Sequence, residues 1–213
     1  MPAKNSLKIL SGKFKGLSLV SPRSTLTHPM GAREKLALFN MIQPYLEGAK
    51  VLDIYAGSGA LGIEALSRGA KSVVFVEKTA KIAQIIRQNL HQIAERSHLE
   101  ALPGVLPTES RGTAVDLRLD KNGKNGSFCP IFTESAMNFA TDTAWKGQFE
   151  VILADPPYDR FDISEVAELP KLLQSGGILA LSFPFANGTP EIPGLKLLTA
   201  HRYAAAGIAI YQK

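Results

Sequence analysis

A tetrapeptide late in the chain combines residue types that could hold and activate an amine. Asp155-Pro156-Pro157-Tyr158 follows 149–154, an apolar run that predicts a buried strand. The double proline removes backbone donors and stiffens the turn at the carboxyl end of this strand, where open α/β sheets bind ligands. The Asp155 carboxylate and the Pro156 carbonyl could accept both N–H groups of a nucleobase amine and favour the pyramidal nitrogen needed for attack, while Tyr158 stacks on the base. The spacing therefore predicts chemistry on an exocyclic amine.

A glycine-rich loop earlier in the chain predicts a nucleotide-like cofactor. A β-branched run ends in Asp53 and is followed by Gly57-x-Gly59-x-x-Gly62, the pattern of a strand that turns tightly into a helix. The pattern also fits a dinucleotide, but the Asp53 carboxylate would repel a pyrophosphate at the helix N-terminus. S-adenosylmethionine, with its sulfonium and ammonium groups, suits an acidic loop better. The predicted cofactor contacts of the loop are Asp53, Ala56, Gly57, Ser58, Gly59 and Gly62.

A second acid stands at the end of the next apolar run. Glu77 follows 72–76, and an acid roughly 20 residues beyond such glycines commonly accepts hydrogen bonds from ribose hydroxyls. We therefore predict that Glu77 binds the cofactor ribose. The residues also permit a plainer interpretation, in which Asp53 caps the loop and Glu77 is a solvated strand end.

Strand and helix patterns alternate along the chain, which predicts an α/β fold with a mostly parallel sheet and helices on both faces. The predicted elements are a helix at 29–45, strand 50–54, helix 60–68, strand 72–77, helix 79–95, strand 149–154, helix 163–173, strand 177–183 and an antiparallel pair at 195–200 and 206–212. A turn-rich polar excursion at about 96–130 interrupts this alternation, and within it we predict a hairpin of 113–119 with 127–132.

The N-terminal part of the chain is basic and predicts a β-hairpin. Residues 6–20 form two strand patterns around Gly12, and we expect this hairpin to lie beside the active-site face. We assign 1–28 to this extension and 29–213 to the catalytic domain. The net charge of +5 suits a polyanionic partner. The residues predicted to meet RNA phosphates are Lys13, Lys15 and Arg33.

Composition excludes several other classes of protein. The 213 residues are 45% hydrophobic, which suits one globular domain with a sizeable core. The single Cys129 excludes an intrachain disulfide framework and a cysteine-based zinc site, and we predict no metal. No secretory signal and no apolar run long enough to span a membrane are visible, so we expect a cytoplasmic protein.

Together these motifs resemble those of class I S-adenosylmethionine-dependent methyltransferases that modify nucleobase amines. More narrowly, the chain is similar to the RsmD-type 16S rRNA (guanine-N2)-methyltransferase family. The stretches that carry the resemblance are 9–16, 28–42, 51–70, Glu77 and 155–158. The family usually has arginine where this chain has His28, and a polar or acidic residue where it has Ala32.

The resemblance implies transfer of a methyl group from S-adenosylmethionine to the 2-amino group of a guanine in bacterial small-subunit ribosomal RNA. It implies a Rossmann-like fold with a mostly parallel seven-stranded sheet, and adenine contacts at Ser135 and Ala136. It also implies a protein that docks on ribosomal RNA or on the assembling small subunit, and for such a protein we expect a monomer. The catalytic turn would consist of Asp155, Pro156, Pro157 and Tyr158.

Three alternatives remain open from the residues themselves. The tetrapeptide 155–158 also suits methylation of adenine or cytosine amines in DNA. The glycine pattern also suits a NAD-dependent oxidoreductase, although 155–158 would then have no explanation. A non-catalytic RNA-binding module would bind RNA through its basic residues without binding a cofactor.

Overall fold

The computed structural model describes residues 7–22, 30–98, 100–104, 112–118 and 127–213. The helix start predicted at 29, His28 and the turn of the predicted hairpin between 119 and 126 lie outside the described residues. Within the described ranges, no helix is long and apolar enough to cross a membrane.

The described chain forms one nine-stranded sheet and a separate two-stranded hairpin. The hairpin strands are β1 (Leu7–Lys8) and β2 (Ser18–Leu19). The sheet strands are β3 (Lys50–Asp53), β4 (Ser72–Val76), β5 (Glu100–Gly104), β6 (Gly112–Arg118), β7 (Ser127–Phe132), β8 (Phe149–Ala154), β9 (Leu173–Pro184), β10 (Lys196–Tyr203) and β11 (Ala206–Gln212). Their order is β10-β11-β9-β8-β3-β4-β7-β6-β5. The central strands β9, β8, β3, β4 and β7 are parallel, and the outer strands join them antiparallel.

Helices cover both faces of the sheet. They are α1 (Ala32–Ile42), α2 (Ala60–Ser67), α3 (Ala80–Arg96), α4 (Ala136–Thr141) and α5 (Ile163–Val166). Successive residues of β3 point to opposite faces, so Val51 lies in one apolar core with Phe39 of α1, whereas Leu52 lies in the other with Phe139 of α4 and Val166 of α5. The predicted α/β class, with helices on both faces of a mostly parallel sheet and an N-terminal β-hairpin, is confirmed.

The predicted number of seven strands is wrong, because the excursion at 96–130 extends the sheet. Strand β6 pairs antiparallel with β7, which confirms the predicted hairpin of 113–119 with 127–132, and β5 pairs with β6 at the sheet edge. The sequence of β5, Glu-Ala-Leu-Pro-Gly, has little strand propensity. Proline is tolerated in a strand mainly at a sheet edge, which is where Pro103 lies.

Two predicted helices are shorter in the structure than the sequence pattern indicated. Helix α1 begins after Gly31 and ends at Ile42, and a 3-10 turn with Pro44 follows it. The helix predicted at 163–173 is limited to α5 and a later 3-10 turn that contains Pro170. Proline has no backbone N–H to continue a helix, so each proline forces a tighter turn.

A buried carboxylate anchors the N-terminal hairpin to the rest of the fold. Glu64 of α2 is fully buried and accepts hydrogen bonds from the backbone of Leu10 at 2.8 Å and of Ser11 at 3.0 Å. Its oxygens also lie 3.2 Å from the Lys35 ammonium of α1 and 2.9 Å from Nε of Arg68. Two cations and two amides therefore compensate the burial of one negative charge, and the contacts join three parts of the chain.

The hairpin runs along α2, and its tip lies away from the glycine loop. The Lys13 amide donates to the carbonyl of Ser67, the last residue of α2, at 2.8 Å. At the other end of the hairpin, the Asn89 side chain bonds both Val20 and the carbonyl of Ser58 in the glycine loop. The intervening helix is about 12 Å long. The expectation that the hairpin lies beside the active-site face therefore holds near Val20 but is wrong for the tip.

Replacing Glu64 is expected to destabilise the protein strongly. Glu64→Ala leaves Lys35 and Arg68 buried without their counter-ion, so we expect a loss of about 3–5 kcal/mol in the free energy of unfolding. Urea unfolding measures it, with Glu95→Ala, an exposed glutamate of α3, as the matched control. A loss below about 1 kcal/mol for Glu64→Ala would show that the buried network is not an anchor.

Candidate active site

The catalytic turn predicted at 155–158 lies directly after β8, and neighbouring elements hold its carboxylate. The backbone N–H of Met30 and the hydroxyl of Ser182 both hydrogen-bond to Asp155. The oxygens of Ser182 and Tyr158 are 2.5 Å apart. Either of these two hydroxyl groups can be the donor. This chain of hydrogen bonds fixes the acid and the aromatic ring relative to each other.

Burial raises the pKa of Asp155 to about 6, against the opposing effect of the hydrogen bonds from Ser182 and Met30. The carboxyl group is therefore mostly ionised at neutral pH, yet it still binds a proton more readily than an ordinary aspartate does. An ionised carboxylate offers about four acceptor positions, and Ser182 and Met30 occupy two of them. The remaining positions are available to a bound amine.

A pocket of about 140 Å³ opens in front of Asp155. Three parts of the chain form it: the start of α1, the catalytic turn and the β9–β11 pair. The lining residues are Met30, Gly31, Glu34, Asp155, Tyr158, Ser182, Ala206 and Ile208. Tyr158 is 40% exposed, so its ring is accessible to a planar ligand. Pro156 is buried and Pro157 exposed, so the two prolines differ in their surroundings.

The two acids predicted to hold the cofactor also brace the glycine loop. Asp53 is 1% exposed and accepts the amide of Gly62 at 2.8 Å. Glu77 is partly exposed and accepts the amides of Gly57 at 3.1 Å and Thr79 at 2.8 Å. The plainer interpretation, in which Asp53 caps the glycine loop, is therefore correct for its hydrogen bond with Gly62. The contact of Asp53 and Glu77 with a cofactor stays a prediction. Of the two carboxylates, that of Glu77 is the more accessible.

Burial raises the pKa of Asp53 to about 7, an effect that the Gly62 amide opposes and that the charges of Asp155 and Glu77 reinforce. Asp155 and Glu77 act on Asp53 because β4, β3 and β8 are neighbours and end at the same edge of the sheet. This edge is therefore negatively charged and favours a cationic ligand.

The shape and chemistry of this edge fit S-adenosylmethionine. Gly57 and Gly59 have φ angles of +53° and +80°, which side chains rarely adopt, and the nearest atom to a Cβ on Gly57 would be the carbonyl oxygen of Tyr55 at 4.0 Å. A Cβ on Gly62 would lie 2.3 Å from the Phe75 ring, so this glycine permits close packing of α2 on β4. Ala56, which donates to the carbonyl of Val76 at 3.0 Å, and Ser58 are both buried.

The predicted adenine contacts lie on the next strand of the same edge. Ser135 and Ala136 follow β7, which pairs with β4 beside Glu77. The Ser135 hydroxyl accepts the amide of Asn138 at 3.1 Å and so caps α4, while Ala136 is buried. The predicted contacts after β3, β4 and β7 therefore lie along one edge of the sheet, although 58–83 residues separate Ser135 and Ala136 from the others in the sequence.

The predicted RNA-binding residues are exposed but do not form one cluster. Arg33 is in the first turn of α1, close to the pocket that contains Asp155. Lys13 and Lys15 are at the tip of the hairpin, near the opposite end of α2 from the glycine loop. The Lys13 ammonium lies 4.8 Å from the centre of the Phe14 ring.

Sequence reasoning missed two pocket residues, Ser182 and Glu34. Ser182 is 1% exposed and interrupts an apolar run in β9 close to its carboxyl end, and this isolated polar residue was a usable signal. Glu34 gave no such signal, because an acid in the first turn of a helix is common for reasons of helix stability alone.

Comparisons with known proteins identify relatives of this chain. A family model described as "Conserved hypothetical protein 95" matches residues 7–132. YlbH of Bacillus subtilis, provisionally named an rRNA methyltransferase, is 30% identical and covers 97% of this chain and 99% of its own. Ribosomal RNA small subunit methyltransferase D of Escherichia coli is 29% identical over 97% of this chain and 88% of its own.

Solved structures share the fold. YhhF of Escherichia coli, provisionally described as a methyltransferase, has a TM-score of 0.74 at 22% identity and covers 98% of both chains. Trm1 of Pyrococcus horikoshii, solved with S-adenosyl-L-methionine, has a TM-score of 0.65 at 14% identity and covers 96% of this chain and 60% of its own.

The sheet order, the glycine loop and the acidic turn, together with these relatives, define an S-adenosylmethionine-dependent methyltransferase. The chain belongs to the family described as conserved hypothetical protein 95, which confirms the RsmD-type relationship indicated by the sequence motifs. This membership favours the methyl donor over the nicotinamide cofactor that the glycine pattern alone had left open.

The hydrogen bond from Ser182 is expected to lower the pKa of Asp155. In Ser182→Ala we expect this pKa to rise above about 6, because the ionised form loses a donor while burial is unchanged. The carboxyl carbon of Asp155 can be titrated by NMR, with Ser175→Ala, an exposed serine on the same strand, as the control. An ordinary pKa near 4 in the unaltered protein would contradict the account of Asp155.

Asp53 is expected to make stability depend on pH. Its pKa rises from 3.8 to about 7 on folding, so the folded protein keeps a proton that the unfolded chain has released, and this contribution to stability is lost as pH rises towards 7. When the pH is raised from 5 to 8, the free energy of unfolding should fall by about 2–3 kcal/mol more in the unaltered protein than in Asp53→Asn. Urea unfolding at both pH values measures this difference.

Asp159→Asn, which changes an exposed aspartate, should behave like the unaltered protein in that experiment. Identical pH dependence in Asp53→Asn and the unaltered protein would mean that Asp53 has an ordinary pKa.

Proposed function

We propose that this protein transfers the methyl group of S-adenosylmethionine to the 2-amino group of a guanine in bacterial small-subunit ribosomal RNA. The observation that carries the proposal is the pocket in front of Asp155, where a braced carboxylate and an accessible aromatic ring meet at the acidic edge of the sheet. Relatives that cover most of the chain are named ribosomal RNA small subunit methyltransferase D, which supports this substrate.

The catalytic turn would prepare the amine for attack. When bound, S-adenosylmethionine supplies a methyl group on a sulfonium, which is already a good electrophile. The Asp155 carboxylate and the Pro156 carbonyl would accept the two N–H groups of the amine, so that the nitrogen lone pair points towards this methyl. As the N–C bond forms and the C–S bond breaks, the nitrogen becomes acidic, and Asp155 would take its proton. Tyr158 would stack on the base, and Pro157 would keep the turn rigid.

The acidic edge would hold the donor in line with that amine. Glu77 would accept hydrogen bonds from the ribose hydroxyls, and Asp53 with the loop residues Ala56, Gly57, Ser58, Gly59 and Gly62 would surround the methionine end. Ser135 and Ala136 would border the adenine. A cation bound near Asp53 would lower the raised pKa of this carboxyl group and so favour its ionised form.

The RNA must present its guanine outside a helix, because the amine of a stacked base cannot reach the pocket. Arg33 would contact phosphates next to the pocket, and Lys13 and Lys15 would contact a more distant part of the RNA or of the assembling small subunit. We propose that the protein acts as a monomer in the cytoplasm, since docking on a large particle needs no second copy.

The direct test uses labelled S-adenosylmethionine and small-subunit ribosomal RNA or particles from cells that lack the protein. After incubation, the RNA is digested to nucleosides. Label in N2-methylguanosine would support the proposal. Label in a methylated adenosine or cytidine, or transfer to DNA instead of RNA, would overturn it and favour an alternative amine substrate.

Asp155→Asn should reduce methyl transfer at least about 100-fold, because an amide accepts the amine protons poorly and cannot take the released proton. The dissociation constant of S-adenosylmethionine should change little, since Asp155 is assigned to the base. Single-turnover rates and calorimetric titration separate these effects, with Asp159→Asn as the matched control. Full turnover in Asp155→Asn would refute the assigned role.

A further inference from the structure

Glu34 is a second carboxylate in the pocket that contains Asp155. It belongs to the first turn of α1, and both acids line the pocket. Burial raises the pKa of the Tyr158 hydroxyl, and the negative charges of Asp155 and Glu34 raise it further, although the Ser182 hydrogen bond lowers it. The two carboxylates therefore approach the same tyrosine, which is the residue expected to stack on the base.

Contacts on both sides of Glu34 fix its position. A Cβ on Gly31 would lie 2.2 Å from Oε2 of Glu34, so the carboxylate is folded over this glycine at the start of α1. The next residue, Lys35, is 2% exposed and donates to the carbonyl of Lys8 at 2.7 Å as well as pairing with Glu64. Because Lys35 must face the interior, the rotation of α1 is set, and Glu34 lies on the side that borders the pocket.

Base edges differ in what they present beside the reactive amine. In guanine the 2-amino group is adjacent to the ring N1–H, so hydrogen-bond donors stand side by side. In adenine and cytosine, the exocyclic amine is adjacent to a ring nitrogen with a lone pair, which is an acceptor. A second carboxylate next to the amine-binding one would attract the guanine edge and repel the other two.

We propose that Glu34 accepts a hydrogen bond from the N1–H of the target guanine and thereby determines the base specificity of the pocket. This inference rests on the proposed function, because it assumes that a nucleobase amine binds at Asp155. It assigns the choice of guanine to a residue outside the catalytic turn, which by itself suits any exocyclic amine.

Glu34 also occupies a position suited to a structural role, which the test must separate from base recognition. An acid at the third position of a helix can accept the backbone N–H of the residue before the helix and stabilises the helix start. Glutamine supports the same contact, so Glu34→Gln preserves this role better than alanine does. A purely structural role would change the unfolding free energy of the variant and leave base preference unaltered.

The experiment compares guanine with 2,6-diaminopurine at the methylated position of small-subunit RNA, assembled by ligation. Diaminopurine keeps the 2-amino group but has an acceptor at the adjacent ring nitrogen. Under single-turnover conditions, we expect the unaltered protein to methylate guanine at least about tenfold faster than diaminopurine. A tenfold ratio corresponds to the free energy that one hydrogen bond to a charged group usually contributes. In Glu34→Gln this preference should shrink about tenfold or more, because the glutamine amide can donate to diaminopurine.

Glu47→Gln is the matched control, since it makes the same change at an exposed glutamate beyond α1 and should keep the original preference. An unchanged preference in Glu34→Gln, with guanine methylated by the unaltered protein, would overturn the role of Glu34 and leave the proposed function standing. Failure of the unaltered protein to methylate guanine in this RNA would overturn both.

Discussion

The buried charge of Glu64 is the interaction on which the arrangement of the site depends. It lies in α2, the helix that begins at the glycine loop, and it binds the N-terminal hairpin through two amides and α1 through Lys35. An uncompensated carboxylate at this depth would cost several kcal/mol, so these contacts must form together. Because α1 is held in this way, the backbone of Met30 reaches Asp155, and the pocket gains its third side.

The acidic edge of the sheet places three carboxyl groups where a positively charged ligand can bind. Asp53, Glu77 and Asp155 follow neighbouring parallel strands, and each accepts hydrogen bonds from nearby backbone or hydroxyl groups. Burial still raises the pKa values of Asp53 and Asp155, to about 7 and about 6, and the charges of Asp155 and Glu77 add to the rise at Asp53. This edge therefore favours a cationic ligand such as the sulfonium donor.

Local patterns predicted the parts of the protein that are contiguous in sequence. The glycine loop after Asp53 and the turn at 155–158 carry their own geometry, because glycine and proline restrict the backbone directly. Ser182, Glu34 and the position of the hairpin tip could not be predicted equally well, because they depend on how distant segments meet. Strand β5 was missed for a related reason: its residues have little strand propensity, and only pairing with β6 makes it a strand.

The central claim is that the donor lies along the acidic edge with its methyl group directed at the Asp155 pocket. A crystal structure with an analogue in which an amine replaces the sulfonium methyl would test this most directly. We predict that the ribose hydroxyls of the analogue hydrogen-bond to Glu77 and that its amine lies within about 4 Å of the Pro156 carbonyl oxygen. An analogue bound with its amine facing away from Asp155, or bound elsewhere on the protein, would contradict the account.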